Sequence, residues 1–116
     1  MTTDNPLLIK LVEDLKKKSF DEEEPIWKRL ALDLEKPSRQ KRVVNLYKIN
    51  KLTKEKDMIV VPGKVLSIGD LDHYVTVAAF AFSKSALEKI NKAGKAMSIN
   101  ELMKERAKDK KIRILG

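Results

Sequence analysis

Tyr74-Val75-Thr76-Val77-Ala78-Ala79-Phe80-Ala81-Phe82 decides the fold. Apart from Thr76 the run is apolar at odd and even positions alike, the pattern of a strand covered on both faces. A helix is predicted next. Ser83 or Ser85 caps it, and Ser85-Ala86-Leu87-Glu88 matches a capping box. Ala86, Leu87, Ile90 and Ala93 face inward, and Gly94 sits where a left-handed C-cap belongs. Lys95-Ala96-Met97 reads as a short strand. Ser98-Ile99-Asn100-Glu101 is a second capping box, opening a helix that runs to about Lys108, and Ile112 to Leu115 is a closing strand. This strand–helix alternation over residues 74–115 argues an α/β fold with parallel pairing.

Upstream, Met58-Ile59-Val60-Val61 is a β-branched run ended by the turn pair Pro62-Gly63. A second strand is expected from Lys64 to Ile68, before a turn at Gly69-Asp70. Val43 to Leu52 fits neither period cleanly and suggests a short strand passing into a helical turn near Tyr47. The first 35 residues predict two amphipathic helices. Asn5 and Pro6 suit a helix start, Leu7, Leu8, Leu11, Val12 and Leu15 share one face, and Lys16-Lys17-Lys18 ends it. Asp21-Glu22-Glu23-Glu24-Pro25 opens the second, whose stripe is Ile26, Trp27, Leu30, Ala31 and Leu34, and Pro37 stops it. The organisation is one domain: a helical part at 1–35, a basic arm and linker at 36–57, and an α/β core at 58–116 with short, partly parallel strands.

Charge is clustered. Residues 36–64 hold nine cationic side chains against Glu55 and Asp57, a net +7 of the chain's +8. Residues 1–35 are net −3 and residues 65–116 net +4. Such a local excess points to a polyanionic partner, most commonly nucleic acid, where each neutralised phosphate releases counterions. At 42% hydrophobic residues the chain has too much apolar content for a disordered basic tail. The absence of cysteine excludes disulfides, thiolate zinc sites and cysteine nucleophiles, and fits a reducing cytosol. Met1-Thr2-Thr3-Asp4 does not begin a signal peptide, and no apolar run has the length of a membrane span.

Lys64-Val65-Leu66, Gly69, Leu71, His73, the run from Val75 to Ala86, Ile90 and Ala93-Gly94-Lys95 resemble large-subunit ribosomal protein 18 of archaea and eukaryotes, related to bacterial large-subunit ribosomal protein 15. Lys36-Pro37, Arg39, Val44-Asn45-Leu46 and Ile49-Asn50 resemble its archaeal members. One departure is visible: the family usually has two glycines after the helix, and here Gly94 precedes Lys95. The resemblance implies an irregular arrangement of ββα turns and a structural, non-enzymatic role in the cytoplasmic ribosome. The implied partners are large-subunit rRNA and neighbouring large-subunit proteins. No cofactor, metal or membrane is implied, and the free chain is expected to be a monomer.

The expected rRNA contacts are Lys36, Arg39, Lys41, Arg42, Lys48, Lys51, Lys64, Ser83, Lys84, Ser85, Lys95, Lys110, Lys111 and Arg113. The polar segment from Lys36 to Arg42 reads as an exposed, mostly extended arm, with Arg39 and Arg42 as bidentate phosphate forks and Lys36 and Lys41 as point charges. The competing reading is a solvated linker. Ser83-Lys84-Ser85 at a helix start either seats a phosphate or simply caps. Lys110, Lys111 and Arg113 are either a second basic contact or a solvated cluster. Pro62-Gly63-Lys64 is no P-loop, because Met58 stands where the first glycine belongs and Val65 replaces the Ser or Thr. His73 reads as a turn histidine, Trp27 as core, and Tyr47 as packing more than as a base-stacking ring. Two other classes are weighed. A free-standing RNA-binding or RNA-chaperone module would show aromatic platforms, and only 5% of the chain is aromatic. A small α/β enzyme would need convergent titratable groups that one histidine and no cysteine do not supply.

Overall fold

The computed structural model describes residues 6–36, 42–104 and 111–115, with Arg42 described by its backbone alone. The elements are α1 (Pro6–Glu22), α2 (Pro25–Leu34), β1 (Arg42–Asn45), α3 (Leu46–Leu52), β2 (Asp57–Leu66), β3 (Val75–Phe82), α4 (Lys84–Ala93), β4 (Lys95–Ser98), α5 (Ile99–Leu102) and β5 (Ile112–Ile114). The sheet order is β1-β2-β3-β4, with β5 also on β2, and these pairings are all parallel. The α/β class expected from the strand–helix alternation is the one observed.

Strand alternation sends side chains to two cores. Val60, Ala78 and Met97 pack under α1 and α2 with Leu15, Trp27, Leu30 and Leu34. Ile59, Val61, Val65, Val75, Val77 and Ala79 pack under α3 and α4 with Ile49, Ala86 and Ile90. Both faces of β3 are covered, which is why its sequence lacks a polar face.

Four local expectations are corrected. Pro62-Gly63 is not a turn: β2 runs through it as one strand, with a register shift between Val61 and Lys64 that sets two residues opposite Phe80. β5 covers the first half of one β2 edge (Met58 to Val60) and β1 the second (Gly63 to Leu66), so proline falls at the seam, where no ladder needs its missing N–H. The second correction concerns α1, which continues past Lys16 to Lys18 as far as Glu22, helped by a Lys18–Glu22 ion pair one turn apart. Asp21 and Glu22 therefore close α1 instead of opening α2; Glu23 turns the chain at φ 54, and Glu24 is extended before Pro25. Third, Gly94 is not left-handed. Its φ is −155, and it closes α4 through Gly94 N–H to Ile90 O at 2.7 Å. Fourth, Leu87 is 40% exposed, because Ala86 and Ile90 alone fill the buried stripe of α4.

Val43 to Leu52 does divide into a strand and a helix, at Asn45/Leu46. Ser83, not Ser85, caps α4, its Oγ accepting from Ala86 N at 3.2 Å. The second capping box forms in full at Ser98 and Glu101. The rest of that predicted helix, to Lys108, extends into residues outside the described set. No described helix is long and apolar enough to cross a membrane.

Candidate nucleic-acid interface

The basic stretch is carried mainly by α3 and the loop into β2. Helix α3 buries Leu46 and Ile49 fully and leaves Tyr47 and Lys51 exposed and Lys48 half-buried. Thr53 ends it, its hydroxyl donating to Ile49 O at 2.7 Å. Lys54, Glu55 and Lys56 follow in an exposed turn, with Lys56 at φ 69.

The two carboxylates of this stretch are turned onto other partners. Glu55 accepts from Tyr74 N at 2.7 Å. Asp57 accepts from Lys54 N at 2.8 Å and from the Arg113 guanidinium at 3.2 Å. Among the described residues, Lys48, Lys51, Lys54, Lys56 and Lys64 consequently make no ion pair. The helical layer is arranged differently: Lys10 pairs with Asp14, Lys16 with Glu35, Lys18 with Glu22 and Lys36 with Asp33. The acidic side of the molecule neutralises its own cations, and the basic side does not.

The expected contact residues fall into separate groups. Lys36 lies just past α2 and holds Asp33 at 3.2 Å. Arg39 and Lys41 lie outside the described residues, and Arg42 begins β1. Lys64 is exposed on β2, in register with Val43 and Ala81. Ser83, Lys84 and Ser85 follow the carboxyl end of β3, with Ser83 N donating to Val65 O at 2.9 Å. Lys64 and this serine pair therefore share the carboxyl rim of the sheet. Lys95 and Lys111 are exposed at the amino ends of β4 and β5, on the opposite rim, and Lys110 lies outside the described residues. Arg113 binds inward, donating to Leu52 O at 2.7 Å as well as to Asp57. Lys54 and Lys56 stand at the amino rim too; sequence reasoning passed over them because Glu55 and Asp57 alternate with them. Only the direction of those two carboxylates reveals the lysines as unneutralised.

His73 bridges two loops, with Nε2 2.8 Å from Thr53 Oγ1 and Nδ1 2.7 Å from Asp72 Oδ1. The His73 hydrogen bond is the main reason the exposed Asp72 carboxyl sits below its ordinary value. Among the described residues no group of three His, Cys, Asp or Glu side chains is placed to hold a metal ion.

Residues 10–97 match the family described as ribosomal proteins 50S-L15 and 50S-L18e with their 60S counterpart. The chain belongs to this family. Among the L15/L18e proteins it is 50% identical to large ribosomal subunit protein eL18 of Sulfurisphaera tokodaii, over 96% of this chain and 92% of that one. It is 43% identical to large ribosomal subunit protein eL18 of Methanothermobacter thermautotrophicus, over 99% and 96% of the two chains. The Archaeoglobus fulgidus protein of the same name is 42% identical over 99% of both. The L15/L18e match runs from α1 to β4 and so includes α3, its unpaired lysines and the Ser83 cap.

Proposed function

We propose that this protein is a structural, non-catalytic constituent of the large ribosomal subunit, and that it binds and stabilises folded large-subunit rRNA through backbone phosphates. One observation carries the reading: Lys48, Lys51, Lys54, Lys56 and Lys64 have no carboxylate partner among the described residues, while Glu55 and Asp57 are held elsewhere. Unneutralised ammonium groups gain from phosphates by releasing condensed counterions. Point charges on two rims and along a helix suit a folded backbone, since A-form RNA hides its base edges in a deep groove and is read by shape. Arg39, Lys41 and Arg42 extend the same surface along the chain, and the acidic helices α1 and α2 turn toward protein neighbours. The place of action is the cytoplasmic ribosome, and the free chain is a monomer.

The test is filter binding of the purified chain to a large-subunit rRNA transcript across a salt series, with sucrose-gradient sedimentation of lysate. Log affinity falls linearly with log salt, and the protein stays with large subunits through a high-salt wash. Failure to bind the transcript in dilute buffer would overturn the reading. Sedimentation in light fractions alone would replace it with a free RNA-binding module.

A further inference from the structure

Tyr47 is an aromatic that the core leaves out. Its neighbours Leu46 and Ile49 are fully buried, yet Tyr47 is 58% exposed. Its root is clamped. Tyr47 N donates to Ile68 O at 2.9 Å. Gly69, at φ +100, lies so close that a Cβ there would stand 2.6 Å from both Tyr47 N and Tyr47 Cβ. Lys89 fastens the same loop from below, donating to Ser67 O at 3.0 Å and Gly69 O at 2.9 Å and pairing with Asp70 at 3.4 Å. Ile68, on the loop that bonds Tyr47, is itself 65% exposed. A lone exposed apolar residue is ordinary. Here a ring with a fixed root stands beside an exposed aliphatic residue, and Lys51 is one helical turn away on the same face, without a carboxylate partner among the described residues.

We infer that Tyr47 and Ile68 form a stacking seat for one unpaired nucleobase, with Lys51 taking the phosphate of that nucleotide or its neighbour. Bases stack on aromatic side chains irrespective of identity, because every base has a π face, and a flanking ammonium tracks the backbone. Clamping the root lowers the ordering cost of stacking. A protein neighbour would find no carboxylate here to meet Lys48 and Lys51, whereas RNA supplies anions to both. The inference rests on the rRNA-binding reading and narrows it: the bound RNA includes an unstacked nucleotide in a loop, bulge or end, and is not duplex alone.

The experiment measures affinities of the full chain and its Tyr47→Ala, Tyr47→Leu and Tyr47→Phe variants for three probes: the large-subunit transcript, a single-stranded oligouridylate and a fully paired RNA duplex. Alanine keeps the Cβ against which Gly69 packs, so folding is retained, and leucine keeps apolar bulk without a π face. Tyr47→Ala and Tyr47→Leu lose roughly 5- to 150-fold on transcript and oligouridylate, and nothing on duplex, with the salt slope unchanged. Tyr47→Phe stays within about twofold, because the ring and not the hydroxyl stacks. Wild-type affinity in Tyr47→Leu, while the wild type binds with its expected salt slope, would sink the stacking seat and leave the phosphate reading intact. Loss of incorporation into subunits without loss of transcript affinity would assign the patch to a protein neighbour, also overturning it. A wild type indifferent to the transcript would remove both readings.

Discussion

Gly94 packs against the backbone of Val75, at the start of the central strand: a Cβ on residue 94 would stand 2.8 Å from Val75 N and nearer still to Val75 O. The glycine is needed for this approach and not for its backbone angles, since φ −155 is open to any residue. Neither strand can yield cheaply, because Thr76 is in register with Lys95 immediately beyond. Gly94→Ala therefore destabilises the protein by about 1–3 kcal/mol through overpacking. Urea unfolding of the two proteins checks this, and an unchanged midpoint would mean that β3 and β4 separate freely.

Ser83 and Ser85 are expected to part company. Ser83 accepts from Ala86 N at 3.2 Å and caps α4. Ser83→Ala costs about 1 kcal/mol of stability. Ser85 is exposed, and Ser85→Ala stays within about 0.5 kcal/mol of wild type in the same unfolding assay. If a phosphate also sits at this turn, Ser85→Ala weakens transcript binding with stability unchanged; if Ser85→Ala leaves binding intact, capping accounts for the turn.

Signals that act over a few residues were legible in the sequence. The apolar run of β3 and the Ser98–Glu101 capping box both depend on near neighbours, and both stand as read. Misreadings arose where distant chain decides. Pro62-Gly63 is ordinary turn punctuation, but strands β1 and β5, far apart in sequence, hold β2 straight across it. Asp21 to Glu24 resemble a helix start, and the Lys18–Glu22 pair carries the earlier helix through the first two of them. The basic surface was legible as composition. Which lysines stay unneutralised was not, because that depends on Glu55 turning to Tyr74 N and Asp57 to Lys54 N and Arg113. Tyr47 looked more like packing than platform until the Gly69 loop was seen to grip its root and leave its ring in water.

The Asp72–His73 hydrogen bond makes part of the stability acid-sensitive. With the Asp72 carboxyl held below its ordinary value in the folded chain, the unfolded chain takes up that proton first as pH falls. The contribution is complete above the ordinary carboxylate value and is lost as pH drops through the lower folded value. Asp72→Asn removes this dependence. Between about pH 4 and about pH 2 the wild-type urea midpoint falls more steeply than the variant's. Parallel curves would show that the hydrogen bond to His73 contributes no linkage.

Paired and unpaired lysines should differ in what they give to RNA. Lys48, Lys51 and Lys64 have no carboxylate to leave when phosphate arrives, whereas Lys10 and Lys16 must abandon Asp14 and Glu35. Changing the first three together to glutamine makes the plot of log affinity against log salt shallower by roughly 0.7–0.9 for each phosphate no longer neutralised. Their exposed or half-exposed positions keep the stability cost within about 0.5 kcal/mol each. Changing Lys10 and Lys16 to glutamine leaves the slope where it was, because those cations already have partners on an acidic face. Filter binding across a salt series separates the two sets. Equal slopes for both would mean that the bound phosphates are gathered by other cations, and that the carboxylate directions at Glu55 and Asp57 have no bearing on recognition.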